Sequence, residues 1–250
     1  MILGPGQLVF GVPFLLGSIA ITGQWPTDPA LAQAALLEFS LSEPGLLAQL
    51  LATAAAMGLA AAVAWLWPRF WAQTTGERFD RKLWLGTRDP ILIKMWMVPV
   101  GVVLMLSIVA LITAQLGEAN VESQLALFSS PTLAILAGMV VASVVPFAEE
   151  FVFRGALYNA VLPDDELTAA PPERRQHAPA IVVSMVAFAA LHLVAGFSTI
   201  TAILSIIILS VFLTVLRTLS DSVWPSVMAH MLWNAVAAMI LIANTFGLTA

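Results

Sequence analysis

Two adjacent carboxylates, Glu149 and Glu150, and an arginine, Arg154, stand inside an apolar segment that begins near Pro131. Residues four apart share one face of a helix, so Glu150 and Arg154 are expected to stack as an intrahelical ion pair. Glu149 lies about 100° further round the helix and is left out of that pair. A carboxylate at membrane depth costs about 2.5–3.5 kcal/mol on insertion scales and marks a functional site by default. The plainer reading is a structural Glu150–Arg154 bridge with Glu149 capping a neighbouring backbone, since ion-pair networks can be purely structural.

Two of the three histidines also fall within apolar runs. His192 follows Phe188 by four residues in FAALH, which puts ring and imidazole on one helix face. His230 precedes Asn234 by four in HMLWN, so imidazole and carboxamide project together. A single intramembrane histidine commonly serves as a hydrogen-bonding link between helices. Here three separate spans each present such a group. His177, in a polar loop, reads as solvated.

This set can activate water. An unpaired glutamate in an apolar site suits a general base near neutral pH, and a histidine can hold the same water or shuttle its proton. A second histidine with an asparagine can donate hydrogen bonds to a tetrahedral oxyanion. The same groups, Glu149, His192 and His230, could instead ligate zinc, for which two histidines and a carboxylate are a common hydrolytic set. There is no HExxH and no GxSxG, and no aspartate within the confident spans. With no cysteine, disulfides, thiolate metal sites and a cysteine nucleophile are excluded. Asp221, at a span boundary, reads as a cap for the last helix.

The elements that must position these groups are membrane spans. The 250 residues are 60% hydrophobic and only 10% charged, where a soluble domain has roughly 25% charged residues. The expected fold is all-α, a multi-pass transmembrane bundle of about seven spans, in a range from six to eight. The spans are placed at about Leu8–Thr22, Leu46–Trp67, Ile91–Leu116, Pro131–Val161, Ala180–Phe197, Thr199–Arg217 and Val223–Phe246. The fourth, with some 30 residues, would be ~45 Å long, which calls for tilt, a kink at Pro146 or protrusion. Residues 1–130 are expected to supply N-terminal helices and 131–250 the core that carries the polar groups.

Apart from Arg154, the basic residues (nine of ten) fall in or beside alternate loops: Pro68 to Pro90, Leu162 to Pro179, and the turn after Arg217. The positive-inside rule then places the N-terminus in the cytoplasm and the C-terminus outside. No basic run suggests nucleic acid.

The ordered set EEFVFRG (Glu149, Glu150, Arg154), FAALH (Phe188, His192) and HMLWN (His230, Asn234) resembles the CPBP intramembrane proteases. These are the CAAX prenyl-endopeptidases and their bacterial relatives, sometimes called Abi proteins, with the pattern EExxxR, FxxxH and HxxxN on successive spans. The resemblance covers about Pro131 to Thr245 and implies a glutamate-dependent endopeptidase of the bacterial cytoplasmic membrane. It implies that Glu149 and His192 activate water, that His230 and Asn234 form the oxyanion site, and that Glu150, Arg154 and Phe188 support the geometry. No cofactor is expected, with zinc on Glu149, His192 and His230 as the alternative. The expected partners are a peptide or membrane-protein substrate and the lipid bilayer; the sequence carries no signal for an oligomeric state. The competing functions are a non-enzymatic immunity or regulatory protein and a cation or proton carrier using the same groups.

Overall fold

The computed structural model describes residues 42–75, 85–87, 89–90, 95–117, 130–162, 177–194 and 199–248. The expected first span, Leu8–Thr22, and most of the two basic loops lie outside these residues. Six helical stretches carry the rest: α1 (Glu43–Thr75), α2 (Met97–Leu116), α3 (Pro131–Val161), α4 (Ala178–Val194), α5 (Ile200–Ser220) and α6 (Trp224–Thr245). All but α4 are long and apolar enough to cross a bilayer, and α4 is a shorter apolar helix. The protein is an all-α, multi-pass membrane protein. Many of its large apolar side chains, Val100, Leu104, Leu111, Val186 and Met239 among them, face outward, as a lipid solvent requires. α1 runs on past the expected end at Trp67 to Thr75.

Local chemistry sets the helix starts. Ser130 caps α3 by accepting from the Leu133 N–H, with Pro131 in the first turn where its missing N–H costs nothing. Thr199 caps α5 in the same way, accepting from Ala202. Side chains at these helix starts also tie helices together at one end of the bundle. Ser130 donates to Glu43 at the head of α1, and Thr201 donates to the Gly117 carbonyl at the tail of α2.

At the opposite end, the Val223 N–H donates to the Gly86 carbonyl, and Arg217 in α5 donates to Asn159 in α3. His177 is buried there, 3% exposed and hydrogen-bonded to the Tyr158 hydroxyl at 2.8 Å, so it is not the solvated loop residue its setting suggests. Asp221 does not cap α6. It ends α5 in the left-handed conformation, φ 50°, and pairs with Arg217 one turn back.

α3 is not a uniform α-helix. Two π-helical turns, Val140–Val144 and Phe151–Leu157, flank a six-residue α segment, Val145–Glu150. Pro146 has no N–H, and its ring crowds the carbonyl four residues back, at Ala142. The wider turn just before it relieves that crowding, with the Val145 N–H donating to Val140 O. In the second, the Tyr158 N–H reaches Phe153 O and Gly155 O.

Wide turns offer carbonyls to neighbours, and neighbouring side chains take them. Asn234 donates to Val141 O, Ser184 to Phe153 O and Arg217 to Arg154 O. Below these bonds lies the main apolar core, drawn from α2 to α6: Val98, Phe153, Phe188, Leu209, Leu213 and Ala229.

Candidate active site

The two glutamates sit at the end of the short α segment between the π turns, a placement often found at functional sites. Glu150 and Arg154 are both 0% exposed. One Glu150 oxygen, Oε1, accepts from Arg154 Nη1 at 3.0 Å and from His230 Nδ1 at 2.9 Å. The expected ion pair is therefore present, and it has a second partner on another helix. Because a carboxylate only accepts, His230 Nδ1 carries the proton and the ring is oriented by Glu150.

His230 Nε2 then faces Glu149, 3.7 Å from Oε2. That oxygen is buried with no hydrogen-bond partner, as is Glu150 Oε2. Such orphaned carboxylate oxygens are costly in an apolar interior and ask for a reason. Glu149 also interacts electrostatically with His192, Glu150 and Arg154, so the groups from three spans meet around it.

Phe188 occupies the centre of the constellation, fully buried. The Arg154 guanidinium lies over its ring at 4.2 Å, the cation–π arrangement in which a desolvated cation gains most. The His192 and His230 rings lie 4.4 and 5.7 Å from it, and Phe153 packs edge-on against it. His192 Nδ1 donates to the Phe188 carbonyl at 2.9 Å, which in a neutral ring leaves the lone pair on Nε2. Asn234, one turn beyond His230, spends one of its two amide hydrogens on Val141 O at 2.9 Å.

Among the described residues, no three His, Asp or Glu side chains come together as a metal-holding group. Glu150 Oε1 and His230 Nδ1 are committed to one another, and His192 Nδ1 is committed to the main chain, which leaves His192 Nε2, His230 Nε2 and Glu149 as the remaining donors of the site.

Residues 131–236 match the family described as Type II CAAX prenyl endopeptidase Rce1-like. The matched stretch begins with the first residue of α3 and ends two residues beyond Asn234, so it holds all three motifs and every contact just given. This match supports the CPBP (CAAX-type) intramembrane protease family for the stretch that carries the site. No curated protein and no solved structure matches it. Within the matched stretch, two residues escaped motif reasoning. Ser210 in α5 takes Arg154 Nη2 on both its hydroxyl and its carbonyl, at 3.1 and 3.3 Å. Arg217 holds the Arg154 carbonyl. A signal for both was present: Ser210, Thr214, Arg217 and Asp221, at spacings of 4, 3 and 4, draw one polar stripe along a mostly apolar helix.

Proposed function

We propose that this chain hydrolyses a peptide bond within or beside the bilayer, using water activated by Glu149 without a metal. The observation that carries the reading is the Glu150–His230–Glu149 alignment. One carboxylate fixes the imidazole from behind, and the imidazole's other nitrogen faces the second, unsatisfied carboxylate at 3.7 Å.

In this mechanism Glu149 takes a proton from water while His192 Nε2 accepts the other hydrogen and orients the oxygen. The hydroxide oxygen bonds to the peptide carbonyl carbon, and the carbonyl becomes an oxyanion. His230, as the imidazolium, donates from Nε2 to that oxyanion, and Asn234 offers its second amide hydrogen. Glu149 then passes its proton to the amide nitrogen as the carbon–nitrogen bond breaks, giving a carboxylic acid and an amine. The acid's proton passes to the amine to leave a carboxylate and an ammonium group. With His230 charged, the two glutamates, Arg154 and His230 sum to zero, which makes their joint burial tolerable.

The substrate class is a peptide or membrane-protein segment, and the setting is a bacterial cytoplasmic membrane. The family's name adds prenylated chains to the substrates worth testing. The basic residues support an orientation with the Gly86 and Arg217 end towards the cytoplasm.

Direct attack by water has a distinctive outcome. A single turnover in ¹⁸O water, with hydroxylamine present, should place one ¹⁸O in the new carboxylate and yield no hydroxamate. A hydroxamate product would mean an acyl-enzyme and would overturn the mechanism. A carrier or regulatory role would give no cleavage at all.

A further inference from the structure

We propose that Arg217 is a positioning residue of the hydrolytic site, acting through the main chain of Arg154; the inference rests on the Glu150–His230–Glu149 reading. Arg217 is 1% exposed and reaches three acceptors with its three nitrogens. Nε donates to Arg154 O at 2.9 Å, Nη2 to Asn159 Oδ1 at 2.9 Å and Nη1 to Asp221 Oδ1 at 3.2 Å. The guanidinium also covers the Tyr158 ring at 4.8 Å. It therefore grips the second π turn and the residues just beyond it at positions 154, 158 and 159.

A π turn is held by i to i+5 bonds and is less favourable than an α turn unless something outside stabilises it. Arg217 does so by donating a charge-assisted hydrogen bond to a carbonyl in the middle of the wide turn. That carbonyl belongs to the residue whose side chain reaches Glu150. The chain of contact runs from Arg217 through Arg154 and Glu150 to His230, and ends 3.7 Å from Glu149. Ser210 fixes the guanidinium of Arg154; Arg217 fixes the backbone it grows from. Without that bond the turn relaxes towards α spacing and carries the guanidinium away from Glu150 Oε1.

The pocket around Arg217 is fitted to it. Gly86 has φ 63°, and a Cβ built there would fall 2.8 Å from Arg217 Nη2. The backbone at Gly86 accepts from Val223, which starts α6, the helix that bears His230. The same corner of the bundle thus sets the origin of both the arginine and the histidine.

The test reads the histidine directly and needs no substrate. The full chain, labelled with ¹⁵N-histidine and held in lipid nanodiscs, should show a downfield imidazole N–H proton for His230, assigned by its loss in His230→Gln. Arg217→Lys should move that resonance upfield and broaden it, and Asn159→Ala should move it the same way by less. Ser220→Ala, which removes a buried hydroxyl bonded to Leu216 O at the same end of α5, should lower Tm and leave the resonance in place. On a quenched transmembrane peptide, Arg217→Lys should lower kcat by about 10²-fold with KM little changed. An unmoved His230 resonance in both Arg217→Lys and Asn159→Ala would overturn the positioning role alone. Absence of the resonance from the unmodified chain would remove the Glu150–His230 bond, and the catalytic reading with it.

Discussion

Glutamine at position 150 and glutamine at position 149 are expected to fail in different ways. Glu150→Gln leaves Arg154 buried without its ion-pair partner, the same oxygen that holds His230. Removing one member of a buried pair costs about 3–5 kcal/mol. Glutamine keeps a carbonyl that can still accept, which points to the lower end. For a domain of this size each kcal/mol moves Tm by roughly 2–4 °C, so at about 3 kcal/mol the fall should be about 6–12 °C. Glu149→Gln differs. Its Oε2 is buried with no hydrogen-bond partner, so no hydrogen bond at that oxygen is lost, only the 3.7 Å approach to His230 Nε2, and Tm should fall by less than in Glu150→Gln. Activity should nonetheless fall by ~10²–10⁴-fold, the contribution of a general base. Monodisperse yield and thermal unfolding in detergent, with peptide cleavage measured alongside, separate the two. Equal losses of Tm in both variants, or an unshifted Tm in Glu150→Gln, would refute the reasoning.

Three further outcomes follow from the same contacts. Single cysteines placed in this cysteine-free chain should label with an impermeant thiol reagent from outside at Leu248, which is 77% exposed, and at Thr87 only after permeabilisation; the reverse would invert the orientation. Activity should survive exhaustive chelation, and stoichiometric metal that is lost in His192→Ala would contradict the water mechanism. Pro146→Ala restores the N–H whose lack favours the wide turn before the glutamates; helix stability should rise or hold while cleavage falls by at least about tenfold, and unchanged cleavage would show that the π turn does not set the site.

The spans and the polar set were legible because both rest on local pattern. Hydropathy placed α5 and α6 to within three residues, and spacings of four put Glu150 with Arg154 and Phe188 with His192. What could not be read was the pairing between helices. Glu150 and His230 are 80 residues apart, and nothing local says that one oxygen serves both His230 and Arg154. The π turns were equally hidden, because the signal at Pro146 is compatible with a simple kink. His177 looked like a loop residue among prolines and arginines, yet Tyr158 from α3 covers it. Asp221 was assigned to the wrong helix because a short linker between two spans can cap either one, and the Arg217 pair decided it.

The central claim is that Glu149 is the base of an intramembrane endopeptidase. The most direct measurement is mass-spectrometric detection of cleavage of a transmembrane peptide library by the purified chain in proteoliposomes, alongside folded Glu149→Gln. The account predicts defined cut sites with the unmodified chain and at least about a hundredfold fewer products with the variant. Equal cleavage by the two proteins would contradict it.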